Sequence, residues 1–267
     1  MRRVSFATTG WMDAPAAAFG VRWRGFIKIP AVVAVCERDD GSIWLVDAGW
    51  SSETCAQPRT IGQLWSRTLG VRVRPGDDVA SQMRAAGLDP SRVTAIVATH
   101  LHLDHVGGVS DFPNAELIAT HDEVTLAYRS HWLRGYRRED LERVERLRLV
   151  RPRYAPVLGF ARCAALDDEI TLLAGEGHTL GHACVLLRDR DGLWIHAGDA
   201  AYHRNDLDRG RPGPFARIMA HDLRGLRATH RRLRDSERDA SRPRVVLSHD
   251  AEGFTRLPRL GRPRTGS

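Results

Sequence analysis

The chain reads as an α/β protein on three grounds. Apolar β-rich runs alternate with helical stretches, several of those runs stop at polar clusters rich in His and Asp, and no repeat or low-complexity tract interrupts the series. Residues 31–36 and 43–46 flank Asp39-Asp40-Gly41, a hairpin signal, and the second run ends at Asp47-Ala48-Gly49. Asp77 and Asp78 offer caps for a helix carrying Val79, Met83 and Ala86, which Gly87 stops before Asp89-Pro90 turns the chain. Residues 93–98 form the next strand, and 117–119 another, followed by Thr120-His121-Asp122-Glu123 in the form of a capping box. Residues 129–162 change character: Leu141, Val144 and Leu147 recur at three-residue steps in Arg-rich sequence, with Trp132, Tyr136, Tyr154 and Phe160 around them. This predicts a helical insertion lying over the main body. Strands at 169–173, 183–187 and 193–197 follow, then a helix with Leu223, Leu226 and Leu233 on one stripe, and a last strand at 245–247. The tail 256–267, rich in Pro, Gly and Arg, is expected to be flexible, and the whole of 1–267 to form one domain.

Composition bounds what such a chain can do. Its 267 residues are 42% apolar and 27% charged, which excludes a disordered or collagen-like protein and leaves enough chain for a substantial core. No apolar stretch approaches the ~20 residues of a membrane span. The net charge is +7, from 40 basic and 33 acidic residues, and Lys28 is the only lysine. So uniform a use of arginine reads as a chain-wide bias rather than a patch for nucleic acid. Cys36, Cys55, Cys163 and Cys184 fit no metal or redox spacing. The basic start has an apolar run that breaks at Thr8-Thr9-Gly10, too short for an export signal, so a reducing cytoplasm is the expected compartment.

His100-x-His102-x-Asp104-His105 carries the chemistry. Side chains two apart on an extended segment point the same way, so His100 and His102 can grip one ion together. Asp104 and His105 reach a second ion only if the chain turns after Leu103, and Gly107-Gly108 lets the backbone run close beneath. Imidazole and carboxylate without thiolate suit zinc, and also iron, manganese or cobalt. A lone histidine is usually a packing residue, but here three of the chain's twelve, with an aspartate, fall within six residues directly after a strand.

This motif resembles that of the metallo-β-lactamase superfamily, and the resemblance continues over nearly the whole chain. It implies a four-layer αββα sandwich with the helical insertion near the active site. Asp47 resembles the family's early aspartate, which orients the motif ligands. His178 in Gly177-His178-Thr179-Leu180-Gly181-His182, Asp199 in Gly198-Asp199 and His249 in Ser248-His249-Asp250 match the remaining ligands. By that mapping His100, His102, His178 and Asp199 hold metal one, while Asp104, His105, His249 and the shared Asp199 hold metal two. Tyr202 in Asp199-Ala200-Ala201-Tyr202, with Gly213-Pro214-Phe215-Ala216 downstream, is similar to the N-acyl-homoserine lactonases, the quorum-quenching group. That likeness implies a dinuclear hydrolase opening lactone rings. Tyr202 would hydrogen-bond the substrate carbonyl and Asp104 would hand a proton to the departing alkoxide; Tyr202 by itself also suits ordinary packing. Trp132, Tyr136 and Phe160 suit an acyl-chain pocket or local core. Leu180 stands where relatives often carry proline and Ala48 where many carry threonine. The expected partner is a small lactone, with no specific nucleic acid and no membrane span; a homodimer is one assembly it allows. A glyoxalase II-like thioesterase, a β-lactamase and a nucleic-acid phosphodiesterase are the competing readings on the same fold.

Overall fold

Strands gather into two sheets in chain order. The structure, a computed structural model, describes residues 1–57, 70–131 and 134–262. The first sheet contains β1 (Arg3–Pro15), β2 (Phe26–Glu37), β3 (Ile43–Val46), β4 (Val71–Arg72), β5 (Val93–Val97), β6 (Glu116–Thr120) and β7 (Leu147–Val150), in the order β4-β1-β2-β3-β5-β6-β7. The second contains β8 (Arg153–Val157), β9 (Phe160–Ala165), β10 (Ile170–Ala174), β11 (Ala183–Asp189), β12 (Gly192–His196) and β13 (Arg244–Val246), in the order β13-β12-β11-β10-β9-β8. The hairpin expected at Asp39-Asp40-Gly41 joins β2 to β3, with Glu37 opposite Ile43 and Gly41 at φ 86°.

Period-two alternation places the layers. In β2, Val32, Ala34 and Cys36 face the second sheet and pack with Leu172, Val185 and Leu187. The intervening Val33 and Val35 face outward, onto Val79 and Met83 of α2 (Val79–Ala85) and Val124 and Ala127 of α4 (His121–Arg129). On the far side of the second sheet, Cys184, Leu186 and Ile195 pack with Leu207 of α6 (Arg204–Asp208) and Leu233 of α8 (Leu223–Ser236). The result is the expected order of helix, sheet, sheet, helix. Helices form where caps allow: Asp78 accepts from Ser81 N–H at the start of α2, and Thr120 from Glu123 N–H at the start of α4. No helix among the described residues is long and apolar enough to cross a membrane.

Strand direction decides where the chemistry collects. β3, β5 and β6 are mutually parallel, so β3 and β5 release Asp47 and His100 at one edge of the first sheet. β12 and β13 are also parallel, and deliver Asp199 and His249 beyond their ends; β11, antiparallel to β12, begins at that edge just after His178–His182. The Ala183 N–H donates to Thr99 O at 2.9 Å and joins the two edges.

Two expectations need correction. The segment 129–162 holds one short helix, α5 (Arg138–Glu142), and then turns into β7, β8 and the start of β9. Leu141 packs into the outer core, but Leu147 and Leu149 lie on an exposed edge strand, so the three-residue spacing of Leu141, Val144 and Leu147 spans two different elements. Trp132 lies outside the described residues. The tail is docked as far as Arg262: Phe6 N–H donates to Pro258 O at 2.9 Å, and Leu260 N–H to Phe6 O at 3.0 Å. The broken apolar run at the start forms a thirteen-residue strand, β1, whose pairing with β2 shifts register between Thr8 and Trp11. Gly10 at φ 128° sits in that bulge.

Candidate metal centre

Seven side chains converge where the two sheets' edges meet. His100, His102, His178 and Asp199 form one group and Asp104, His105 and His249 another, each with one nitrogen or oxygen per residue within 4.8 Å of the others. His100 and His102 lie on the extended segment after β5. Asp104 and His105 ride on α3 (Leu103–Val106), the turn that the motif required after Leu103. Asp199 stands between the groups. Its Oδ2 is 3.5 Å from His178 Nε2 and 3.8 Å from His100 Nε2, while its Oδ1 is 3.1 Å from both His105 Nε2 and His249 Nε2. Asp104 Oδ2 lies 3.6 Å from His249 Nε2.

Three of the rings are aimed by their other nitrogen. His249 Nδ1–H donates to Pro30 O at 2.6 Å, and His105 Nδ1–H to Asp47 Oδ2 at 2.7 Å. His100 Nδ1 meets Thr99 Oγ1 at 3.1 Å. Asp47 also accepts from Thr99 N–H and Thr99 Oγ1, at 2.8 and 2.9 Å, and it takes this place at φ 60°, a conformation costly for a residue with a Cβ. His182 braces the centre without joining it: its Nε2 accepts from Asp199 N–H at 3.2 Å and its Nδ1 reaches Gly175 O at 3.0 Å. Gly108 matters through the Asp47 loop, since a Cβ there would sit 2.5 Å from Ala48 O.

The residues present fit a pair of cations. His100 Nε2, His105 Nε2 and Asp199 Oδ1 are buried without hydrogen-bond partners, a costly arrangement for polar atoms unless something positive lies between them. His178 Nε2 and His102 Nδ1 stand 3.2 Å apart, close enough for the lone pairs of both rings to be turned toward one ion. Burial holds His100 and His178 well below the ordinary imidazole range and brings His102 to about 4, so all three keep lone pairs free. Burial also opposes protonation of His105 and His249, but Asp199 outweighs it and both are raised. Asp199 is itself held well below the usual carboxylate range: His249 and His105 overcome the effect of its burial.

Residues 29–249 match the family described as the metallo-beta-lactamase superfamily. The chain belongs to this superfamily. It is a metallo-beta-lactamase superfamily hydrolase with a His/Asp centre suited to two metals. It is 35% identical over 212 residues to a probable metallo-hydrolase of Mycobacterium tuberculosis, covering 77% of this chain and 67% of that one. It is 28% identical over 220 residues to the N-acyl homoserine lactonase AttM of Azorhizobium caulinodans, covering 79% and 78%. Among solved structures it resembles a mutant AiiA of B. thuringiensis with N-decanoyl-L-homoserine bound, at TM-score 0.77, 18% identity and 95% coverage of each chain.

One residue that organises this superfamily centre escaped the sequence. Glu123 has the place expected of a capping-box acid, yet its fully buried carboxylate faces the metal-ligand loops instead. Oε1 accepts from Leu101 N–H and Tyr136 OH, both at 3.0 Å; Oε2 accepts from Thr179 Oγ1 at 2.6 Å and Gly181 N–H at 3.2 Å. Burial raises its pKa, and these donors work against the rise. Glu123 thus ties the His100–His102 segment to the His178 loop. The approach is so close that a Cβ on Gly181 would fall 2.1 Å from Glu123 N. Tyr136, held by the same carboxylate, packs edge-on against His102 with ring centroids 4.8 Å apart.

Two pockets adjoin the centre. One of about 110 Å³ is lined by Phe19, Ile29 and Phe215 together with His102, Asp104, Asp199, Tyr202 and His249. Tyr202 is buried there, stacked on His249 at 5.4 Å and packed against Phe19 and Phe215. The two described members of the expected acyl-chain trio lie elsewhere: Tyr136 is engaged with Glu123, and Phe160 is buried in the outer core of the second sheet with Leu173 and Cys184. The second pocket, of about 330 Å³, opens beside His102 and His178.

Proposed function

We propose that this hydrolase opens the ring of N-acyl-homoserine lactones or similar lactones, using two divalent ions, zinc first among them. His100, His102, His178 and Asp199 would hold one ion, and Asp104, His105, His249 and the shared Asp199 the other. Ions so held lower the pKa of water toward neutrality and draw electron density from an ester carbonyl. The observation that carries the reading is that Tyr202 and Asp104 line the same apolar pocket as His102, Asp199 and His249. A lactone carbonyl at the centre then has an apolar slot beside it for an acyl chain, walled by Phe19, Ile29 and Phe215. The pKa of Tyr202 is pushed well above its ordinary value by burial and by Asp199 and Asp104, so its hydroxyl keeps its proton and donates to the carbonyl oxygen as negative charge gathers there. As water adds to the carbonyl carbon and the ring C–O bond breaks, Asp104 would take a proton from that water and pass it to the departing alkoxide, leaving a hydroxy acid.

A pH-indicator assay comparing N-acyl-homoserine lactones with a glutathione thioester, nitrocefin and bis-p-nitrophenyl phosphate tests the proposal. Lactones should be turned over fastest, and a faster thioester or phosphodiester would replace the reading. Tyr202→Phe should retain its metal by elemental analysis while kcat falls about 10²-fold, the lower end of losses for a removed oxyanion donor. Unchanged kinetics would return Tyr202 to a packing role.

A further inference from the structure

The second pocket differs in chemistry from the first. His102 and Met219 line both, but the second is walled by Arg129, Arg134, His131 and His221, and none of the described residues lining it carries a carboxylate. Neighbouring arginines have partners. Arg137 pairs with Asp140 at 2.9 Å, Arg143 with Glu53 at 3.5 Å, and Arg138 donates to Tyr128 O. Arg129 and Arg134 form no ion pair among the described residues. Two guanidinium groups at a concave site with no internal counter-charge suit a planar anion, which each can meet through paired N–H donors. His102 and Met219 are common to the two pockets, so a molecule whose ester lies at the metal centre and whose apolar chain enters the Phe19–Phe215 pocket can extend its other arm past His102 into the arginine pocket.

We infer that the pocket of Arg129 and Arg134 binds a negatively charged arm of the substrate, a carboxylate or a phosphate carried on the side of the scissile ester away from its apolar chain. The inference rests on the metal centre as the place where the ester reacts, and not on that ester being a lactone.

Calorimetric titration of the metal-loaded protein with glutarate and with pentanoate tests it without turnover, since the two have equal chain length and differ by one terminal carboxylate. Glutarate should bind about tenfold more tightly, equivalent to roughly 1.4 kcal/mol. Arg129→Ala/Arg134→Ala should erase the difference, and both positions are exposed, so the fold is not at stake. The double variant Arg238→Ala/Arg256→Ala, elsewhere on the surface, should preserve it and so separates the pocket from the general positive charge. Equal affinities in the unmodified protein, or a preference that survives loss of Arg129 and Arg134, overturn the inference. If 4-phosphonobutyrate also exceeds pentanoate, the tighter of it and glutarate names the anion. In turnover, mono-4-nitrophenyl glutarate should show a lower KM than 4-nitrophenyl pentanoate at similar kcat, and only the Arg129/Arg134 variant should lose that gap. A protein that opens no acyl-homoserine lactone yet keeps the arginine-dependent preference loses the lactone reading and retains this one.

Discussion

Asp199→Asn is expected to abolish hydrolysis, by about 10³-fold or more, and to leave the purified protein with less than its full complement of metal. One carboxylate offers an oxygen to each group of ligands: Oδ2 toward His100 and His178, Oδ1 toward His105 and His249. An asparagine keeps the shape but replaces one oxygen by an NH2. Whichever way it turns, one group faces hydrogens where an ion belongs. The fold should persist, because asparagine has the size of aspartate and opens no cavity, while the stability that a bound ion lends is lost with the ion. Elemental analysis, circular dichroism and the lactone assay together separate these effects. A variant that holds two metals and turns over normally would show that Asp199 is not the shared ligand.

Glu123→Gln is expected to be the most damaging change outside the metal ligands. The two oxygens each serve one backbone N–H, from Leu101 and from Gly181. A glutamine amide has one oxygen, so either orientation leaves an N–H facing an NH2, and one hydroxyl, from Tyr136 or Thr179, must also re-pair. Breaking a buried network of this kind costs about 3–5 kcal/mol. The loops that slacken carry His100, His102 and His178, so metal should be lost preferentially from that group. Chemical denaturation and metal stoichiometry check both parts. A stable variant with undiminished metal affinity would reduce Glu123 to a helix-cap residue.

The contrast between these two residues shows what the sequence discloses. Asp199 is legible because the ligands come as local words at strand ends: His100 to His105 in six residues, Gly198-Asp199 after β12, Ser248-His249 after β13. Local order is what a sequence displays directly. Glu123 gathers partners from positions 101, 136, 179 and 181, a relation invisible until the sheets are stacked, and its local context imitates a helix cap. The same limit explains the apolar pocket. Phe19 and Phe215 are nearly two hundred residues apart and stack with centroids at 5.2 Å, whereas the expected wall of Tyr136 and Phe160 is drawn into packing on either side. Strand β1 hid behind its bulge, because Thr8-Thr9-Gly10 ends an apolar run on paper while the backbone pairing resumes at Trp11. In 138–150, apolar residues three apart, Leu141, Val144 and Leu147, gave a helical period that the chain realises for only five residues before extending.

The proposed ligands are divided between the sheets: His100, His102, Asp104 and His105 follow strands of the first, and His178, Asp199 and His249 border strands of the second. Neither sheet alone presents a complete set, so an ion with high affinity exists as a ligand only of the docked pair. Thermodynamic linkage follows. Free ion at a hundred times its Kd adds about 2.7 kcal/mol per site to the folded state, and cation supply therefore acts on how long the two halves stay closed together as well as on catalysis.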